Sequence, residues 1–131
     1  MNERIINIYD RYAAKFEVPE IKKNSLYIVA VPIGNIEDIS FRAISILKNA
    51  DLIASEDTRN TNFLFQQFGI RNRTVSYYSY VETGKADYFI NEIKIGRTVA
   101  LVSDAGTPCI SDPGNILVSN CIENGIDIIS I

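Results

Sequence analysis

SLYIVAV, residues 25–31, is an unbroken apolar run rich in β-forming residues, and it restricts the fold more than any other stretch. A strand with one wet face alternates polar and apolar positions. A continuous run reads as a strand covered on both faces, the condition of strands in parallel sheets. Four more segments read as strands: DLIAS (51–55), RTVSYYSY (73–80), RTVALVS (97–103) and IDIISI (126–131). Helical patterns lie between them. SFRAISILKNA (40–50) sets Phe41, Ile44 and Leu47 at helical spacing behind Ser40, a good N-cap. EDTRNTNFLFQQFG (56–69) opens on acidic caps and stops at Gly69, and TGKADYFINEIKIG (83–96) runs from Thr83 toward Gly96. DPGNILVSNCIENG (112–125) has Asp112 at the N-cap, Pro113 at the first helical position and Gly125 just past the end. Strand alternating with helix produces right-handed crossovers. The expected fold is therefore α/β, an open and mainly parallel five-stranded sheet with helices on both faces.

Residues 1–24 precede the first strand as a leader, with a short helix expected around Ile5 to Phe16, and residues 25–131 make up the α/β domain. A length of 131 residues suits one domain. No apolar run approaches the ~18 residues of a membrane span. The first residues mix both charge signs without an apolar signal core, so a cytoplasmic protein with no membrane association is expected. Net charge is −3, which does not predict the basic footprint of a nucleic-acid binder. Lys22 with Lys23, and Arg71 with Arg73, read as solvated surface or as a local basic patch. The chain has no histidine, which removes a histidine general base and the usual zinc sites. No metal is expected, and proton transfer falls to carboxylate, lysine, tyrosine or solvent. Cys109 and Cys121 lack metal-ligand spacing and read as small buried thiols.

In open α/β sheets, ligands bind outside the carboxyl ends of the strands. Three polar or glycine-bearing segments fall there. VPIGN (31–35) is neither a dinucleotide fingerprint nor a P-loop, and taken alone it is a turn. SEDTR (55–59) has two readings. Its acidic residues suit a helix N-terminus, with Asp57 as cap; equally, Glu56 or Asp57 accepts a proton or binds a cation while Arg59 meets a phosphate. In SDAGTPCISDPG (103–114), the second half is helix punctuation. The first half, SDAGTP, is not needed for capping. Its Ala105 and Gly106 leave bare backbone at a strand end, suited to a flat or extended ligand, and Asp104 adds a negative charge.

In this order, PIGN-EDI, EDTR and SDAGTP-ISDPG resemble the tetrapyrrole methylase superfamily, and within it the branch that methylates small-subunit ribosomal RNA. The resemblance covers about Ser25 to Ile131. It implies the N-terminal one of two α/β domains, with the second domain absent from this chain and S-adenosylmethionine bound between the two. It implies a homodimer and transfer of a methyl group to the ribose 2′-oxygen of a cytidine in 16S ribosomal RNA. By the family pattern, Ile33 contacts the cofactor from the first loop. Ala105, Gly106 and Thr107 contact its methionine part, and Ile110 makes an apolar contact. Glu56, Asp57 and Asp104 are the candidate general bases in this half, unless the other domain supplies the base; Arg59 is a candidate RNA contact. Two features depart from the pattern. Members usually carry histidine and acidic residues after the third strand, where this chain has SYYSYVE, and the leader is longer than usual. Two alternatives remain open: a methyltransferase acting on a tetrapyrrole or other small substrate, and a non-catalytic nucleotide-binding or dimerisation module. SDAGTP and EDTR weigh against the first, since corrin and porphyrin enzymes usually show a GGDP-like first loop.

Overall fold

A computed structural model describes residues 3–15, 20–77, 82–103, 106 and 115–131. The elements are α1 (Glu3–Lys15), β1 (Ser25–Ile28), a 3-10 turn (Ile36–Asp38), α2 (Phe41–Asn49), β2 (Leu52–Ser55), α3 (Thr58–Phe68), β3 (Thr74–Ser76), α4 (Glu82–Lys94), β4 (Val99–Val102), α5 (Asn115–Glu123) and β5 (Asp127–Ser130). The strands form one sheet in the order β3-β2-β4-β1-β5, and every pairing is parallel. The expected fold class is therefore observed.

The sheet order explains the two layers of helices. From β1 the chain steps in one direction to β2 and then β3; from β3 it jumps back over β2 to β4, then over β1 to β5. Right-handed crossovers that step in opposite directions put their helices on opposite faces. Two separate cores result. Tyr27 and Val29 of the first strand segment, Ile53, Ala100 and Val102 pack with α1, α2 and α3. Leu26, Leu52, Ala54, Val99 and Leu101 pack with α4 and α5. Successive residues on a strand point to opposite faces, so an unbroken apolar run serves both cores.

The helix boundaries follow local chemistry. The Ser40 side chain accepts a hydrogen bond from the Ala43 N–H, and the Asp57 carboxylate accepts one from the Arg59 N–H at 2.9 Å. At the end of α3 Gly69 takes the left-handed conformation, φ 66°, and Ile70 N–H donates to the Phe65 carbonyl at 2.9 Å. Gly125 closes α5 in the same way: its N–H donates to the Ile122 carbonyl and that of Ile126 to the Cys121 carbonyl. The expected caps Asp112 and Pro113, like Cys109, Tyr78 and Tyr80, lie outside the described residues. Cys121 of α5 is fully buried in the second core, and burial pushes its thiol pKa up to about 11, as befits an inert core thiol.

The strands, as described, are shorter than the sequence runs suggest. β1 ends at Ile28 rather than Val31, because after Val29 donates to the Leu101 carbonyl the two chains leave the ladder. β4 starts at Val99 because the Thr98 N–H is taken by the Asp51 carboxylate at 2.8 Å. β3 has three described residues, Thr74–Ser76.

The leader does not hang free. Ile5 and Tyr9 of α1 are buried in the first core, and Tyr12 stacks on Phe41 with ring centroids 4.6 Å apart. Residues 20–24 fasten the helix to the amino edge of the sheet. Lys22 pairs with Asp127, its N–H donates to the Tyr27 hydroxyl, and its carbonyl accepts from the Thr98 hydroxyl. The Asn24 amide donates to the Ile93 carbonyl. Lys22 is thus part of a structural clasp rather than of a basic patch.

Candidate functional site

The point where crossovers part to opposite faces opens a crevice in an open α/β sheet. Here it lies between β4 and β1, which are neighbours: the chain leaves β1 toward α2 on one face and β4 toward α5 on the other. β2 flanks β4 on its other side. SEDTR, SDAGTP and VPIGN follow β2, β4 and β1 in the chain, and the topology sets the carboxyl ends of these strands side by side, with that of β4 in the middle. Strand neighbours are ~4.8 Å apart, so the three strand ends span about 10 Å.

The two central loops are joined. Val31 and Gly106 form an antiparallel bridge in which each N–H donates to the other's carbonyl at 3.0 Å. Gly106 has φ 77°. A Cβ built there would lie 3.7 Å from Cδ1 and Cγ1 of Ile33, so the Ile33 side chain stands beside the side of Gly106 that a side chain would occupy. Ile33 is nonetheless 82% exposed, an isoleucine held open to solvent at the mouth of the crevice. Asn35 caps the following 3-10 turn by accepting from the Glu37 N–H at 3.0 Å, and Glu37 pairs with Arg4 of α1 at 2.8 Å. The first loop is thereby tied to the leader helix.

At the end of β2, Glu56 is half-buried and Asp57 caps α3. The backbone N–H of Arg59 is the main reason that the Asp57 carboxyl titrates below its ordinary value, with the Arg59 charge helping and desolvation opposing. The Arg59 side chain is 89% exposed, with its Nε 3.6 Å from Asp57 Oδ1. Beneath this loop, Ser55 and Ser76 are register partners at the ends of β2 and β3. Their buried hydroxyls have no hydrogen-bond partner among the described residues.

The structure therefore sets Ile33 beside Gly106 and places Glu56, Asp57 and Arg59 at the end of β2, the strand on the other side of β4. Asp104, Ala105, Thr107 and Ile110 lie outside the described residues. The part Sequence analysis did not reach is Val31. It acts through its backbone, and no side-chain pattern reports a main-chain bridge. The bare backbone and exposed apolar side chain fit a ligand with a flat or apolar part and hydrogen-bonding edges. Cavities among the described residues also lie along α1; one of about 210 Å³ is lined by Ile5, Ile8, Ile39 and Ile44. Among the described residues no cluster of His, Cys, Asp and Glu could hold a metal ion, and no helix is long and apolar enough to cross a membrane.

Comparison with known proteins identifies the family. Residues 25–131 match the family described as Tetrapyrrole (Corrin/Porphyrin) Methylases, which leaves α1 outside the matched region. A protein of Halalkalibacterium halodurans named ribosomal RNA small subunit methyltransferase I is 51% identical over 109 residues, covering 83% of this chain and 38% of that protein. Proteins of the same name from Buchnera aphidicola (of Schizaphis graminum) and Escherichia coli O157:H7 are 48% and 47% identical, over 84% and 83% of this chain and 39% and 38% of their own lengths. The chain thus spans about two fifths of the length of these relatives. With the family match running over residues 25–131, this chain belongs to the tetrapyrrole (corrin/porphyrin) methylase family.

Proposed function

We propose that this chain is the N-terminal half of a two-domain, S-adenosylmethionine-dependent ribosomal RNA methyltransferase acting on the ribose 2′-oxygen of a cytidine in 16S RNA. One observation carries the reading: the carboxyl ends of β2, β4 and β1 are adjacent at the switch point, and beyond β1 and β4 the chain is joined through Val31 and Gly106. The names of the relatives support the RNA substrate. The working protein is proposed to be a cytoplasmic homodimer.

Ile33, Ala105, Gly106, Thr107 and Ile110 would hold the cofactor on one wall. When bound, the cofactor supplies an electrophilic methyl group. The chain's own work is mostly alignment, and holding two reactants in line is worth up to about 7–11 kcal/mol in ideal cases. A carboxylate that takes the 2′-hydroxyl proton adds ~10²–10⁴-fold. Of the three candidates, Asp57 is engaged as a helix cap and titrates low, which favours Glu56 or Asp104. The exposed guanidinium of Arg59 suits a backbone phosphate.

The test is transfer of a labelled methyl group from S-adenosylmethionine to small-subunit RNA by the two-domain protein, together with filter binding across a salt series. Transfer to a ribose 2′-oxygen and salt-dependent affinity are expected. Salt-independent or absent RNA binding would sink the RNA reading, and transfer to a tetrapyrrole instead would replace it.

A further inference from the structure

We propose that the Val31–Gly106 bridge is a positioning device for the candidate cofactor site, fixing Gly106 relative to Val31 and Ile33 before any ligand arrives. The inference rests on the reading above for the identity of the ligand, not for the bridge itself.

Below the crevice, β1 and β4 run parallel, paired as Leu26↔Val99, Tyr27↔Ala100 and Ile28↔Leu101. That ladder ends, and its last contact is Val29 N–H to the Leu101 carbonyl at 3.0 Å. Two residues later the same chain meets Gly106 in the opposite sense, with both hydrogen bonds of the pair formed. The bridge is therefore a separate fastening rather than the tail of the ladder. The helices that follow β1 and β4, α2 and α5, pack on opposite faces of the sheet, so no shared helix layer joins the two segments. Val31 is buried at 5% exposure, so its side chain is seated in the first core and fixes one end of the fastening. At the other end Gly106 reaches Val31 with φ 77°, where a residue with a Cβ is strained. Among the described residues space does not set this requirement, because an added Cβ would meet only Ile33 there, at an ordinary 3.7 Å. Conformation sets it.

This distinction makes the inference testable. If Gly106 matters for its φ, substitutions rank by tolerance of the left-handed region, where asparagine does better than alanine and a β-branched residue does worst. If Gly106 only leaves room for a ligand, they rank by size, and alanine does better than asparagine. The dissociation constant for S-adenosylhomocysteine is measured calorimetrically on the two-domain protein and on Gly106→Asn, Gly106→Ala and Gly106→Val. Amide exchange at Val31 is measured on the same proteins without ligand. Positioning predicts a protected Val31 amide in the unliganded wild type. It predicts about a threefold loss of affinity for Gly106→Asn, roughly tenfold for Gly106→Ala and more for Gly106→Val, with Val31 protection falling in the same order. Affinities that rank by size, or a Val31 amide that becomes protected only when ligand binds, would overturn the inference. A wild type that binds no S-adenosylhomocysteine defeats the functional reading instead. The exchange series then decides the bridge alone: protection lost from Gly106→Asn to Gly106→Val supports it, and an unprotected wild-type amide overturns it.

Discussion

At the scale of single residues, SEDTR separates into groups with different work. Asp57 caps α3, and the hydrogen bond from Arg59 N–H holds its carboxyl below the ordinary value. A group whose folded pKa is depressed stabilises the fold fully above its unfolded pKa of about 3.9, and that contribution fades as pH falls through the folded value. Asp57→Ala is thus expected to lower the melting temperature at neutral pH and to flatten its decline in acid, read from thermal unfolding between about pH 6 and pH 2. Arg59 differs, because its side chain makes only a loose contact at the surface. Arg59→Ala should leave stability within about 0.5 kcal/mol. Under the proposed function it should also weaken RNA binding for all sequences and reduce the salt slope by about 1. Both residues were legible in the sequence, but as one cluster with two competing readings. Only the placement of the Asp57 oxygen against a helix N–H parted them.

At the scale of elements, stops proved easier to read than strand ends. Gly69 and Gly125 closed their helices where expected, since a left-handed residue after the last helical turn is a local requirement. Their surroundings differ. A Cβ on Gly69 would lie 3.1 Å from Cδ1 of Ile6 in α1, whereas one on Gly125 would meet nothing within 4 Å. Each alanine substitution should cost about 1–2 kcal/mol for its backbone conformation. Gly69→Ala should cost the more of the two, because Ile6 must also shift; denaturant titration of both variants checks the order. Strand ends depend on partners in the sheet. β1 falls short of its apolar run because its neighbour β4 turns away, and nothing in SLYIVAV records that.

For the whole molecule, the unexpected element is the leader. Sequence periodicity marked a helix, but the core it joins is assembled from α2, α3 and the sheet, all distant in the chain. Tyr9 is buried there, packs 6.3 Å from Phe41 and carries Lys48 over its ring at 4.5 Å. Tyr9→Ala should destabilise the fold by about 2–4 kcal/mol. Deletion of residues 1–19 should cost more than Tyr9→Ala, since Ile44, Leu47 and Phe68 lose cover; thermal unfolding of each checks it. A leader that deletes without loss of melting temperature would show that α1 contributes nothing to the core.

By itself, the sequence determined the class of the fold, its alternation of strand and helix, the caps and the segments at the strand ends. These depend on contacts among near neighbours: periodicity, side-chain capping and left-handed glycine. The tertiary structure decided which segments meet. It ordered the strands, placed α1, and joined Val31 to Gly106 across 75 residues, from 31 to 106. Such pairings are made by main-chain groups that every residue carries alike, so no residue type announces them.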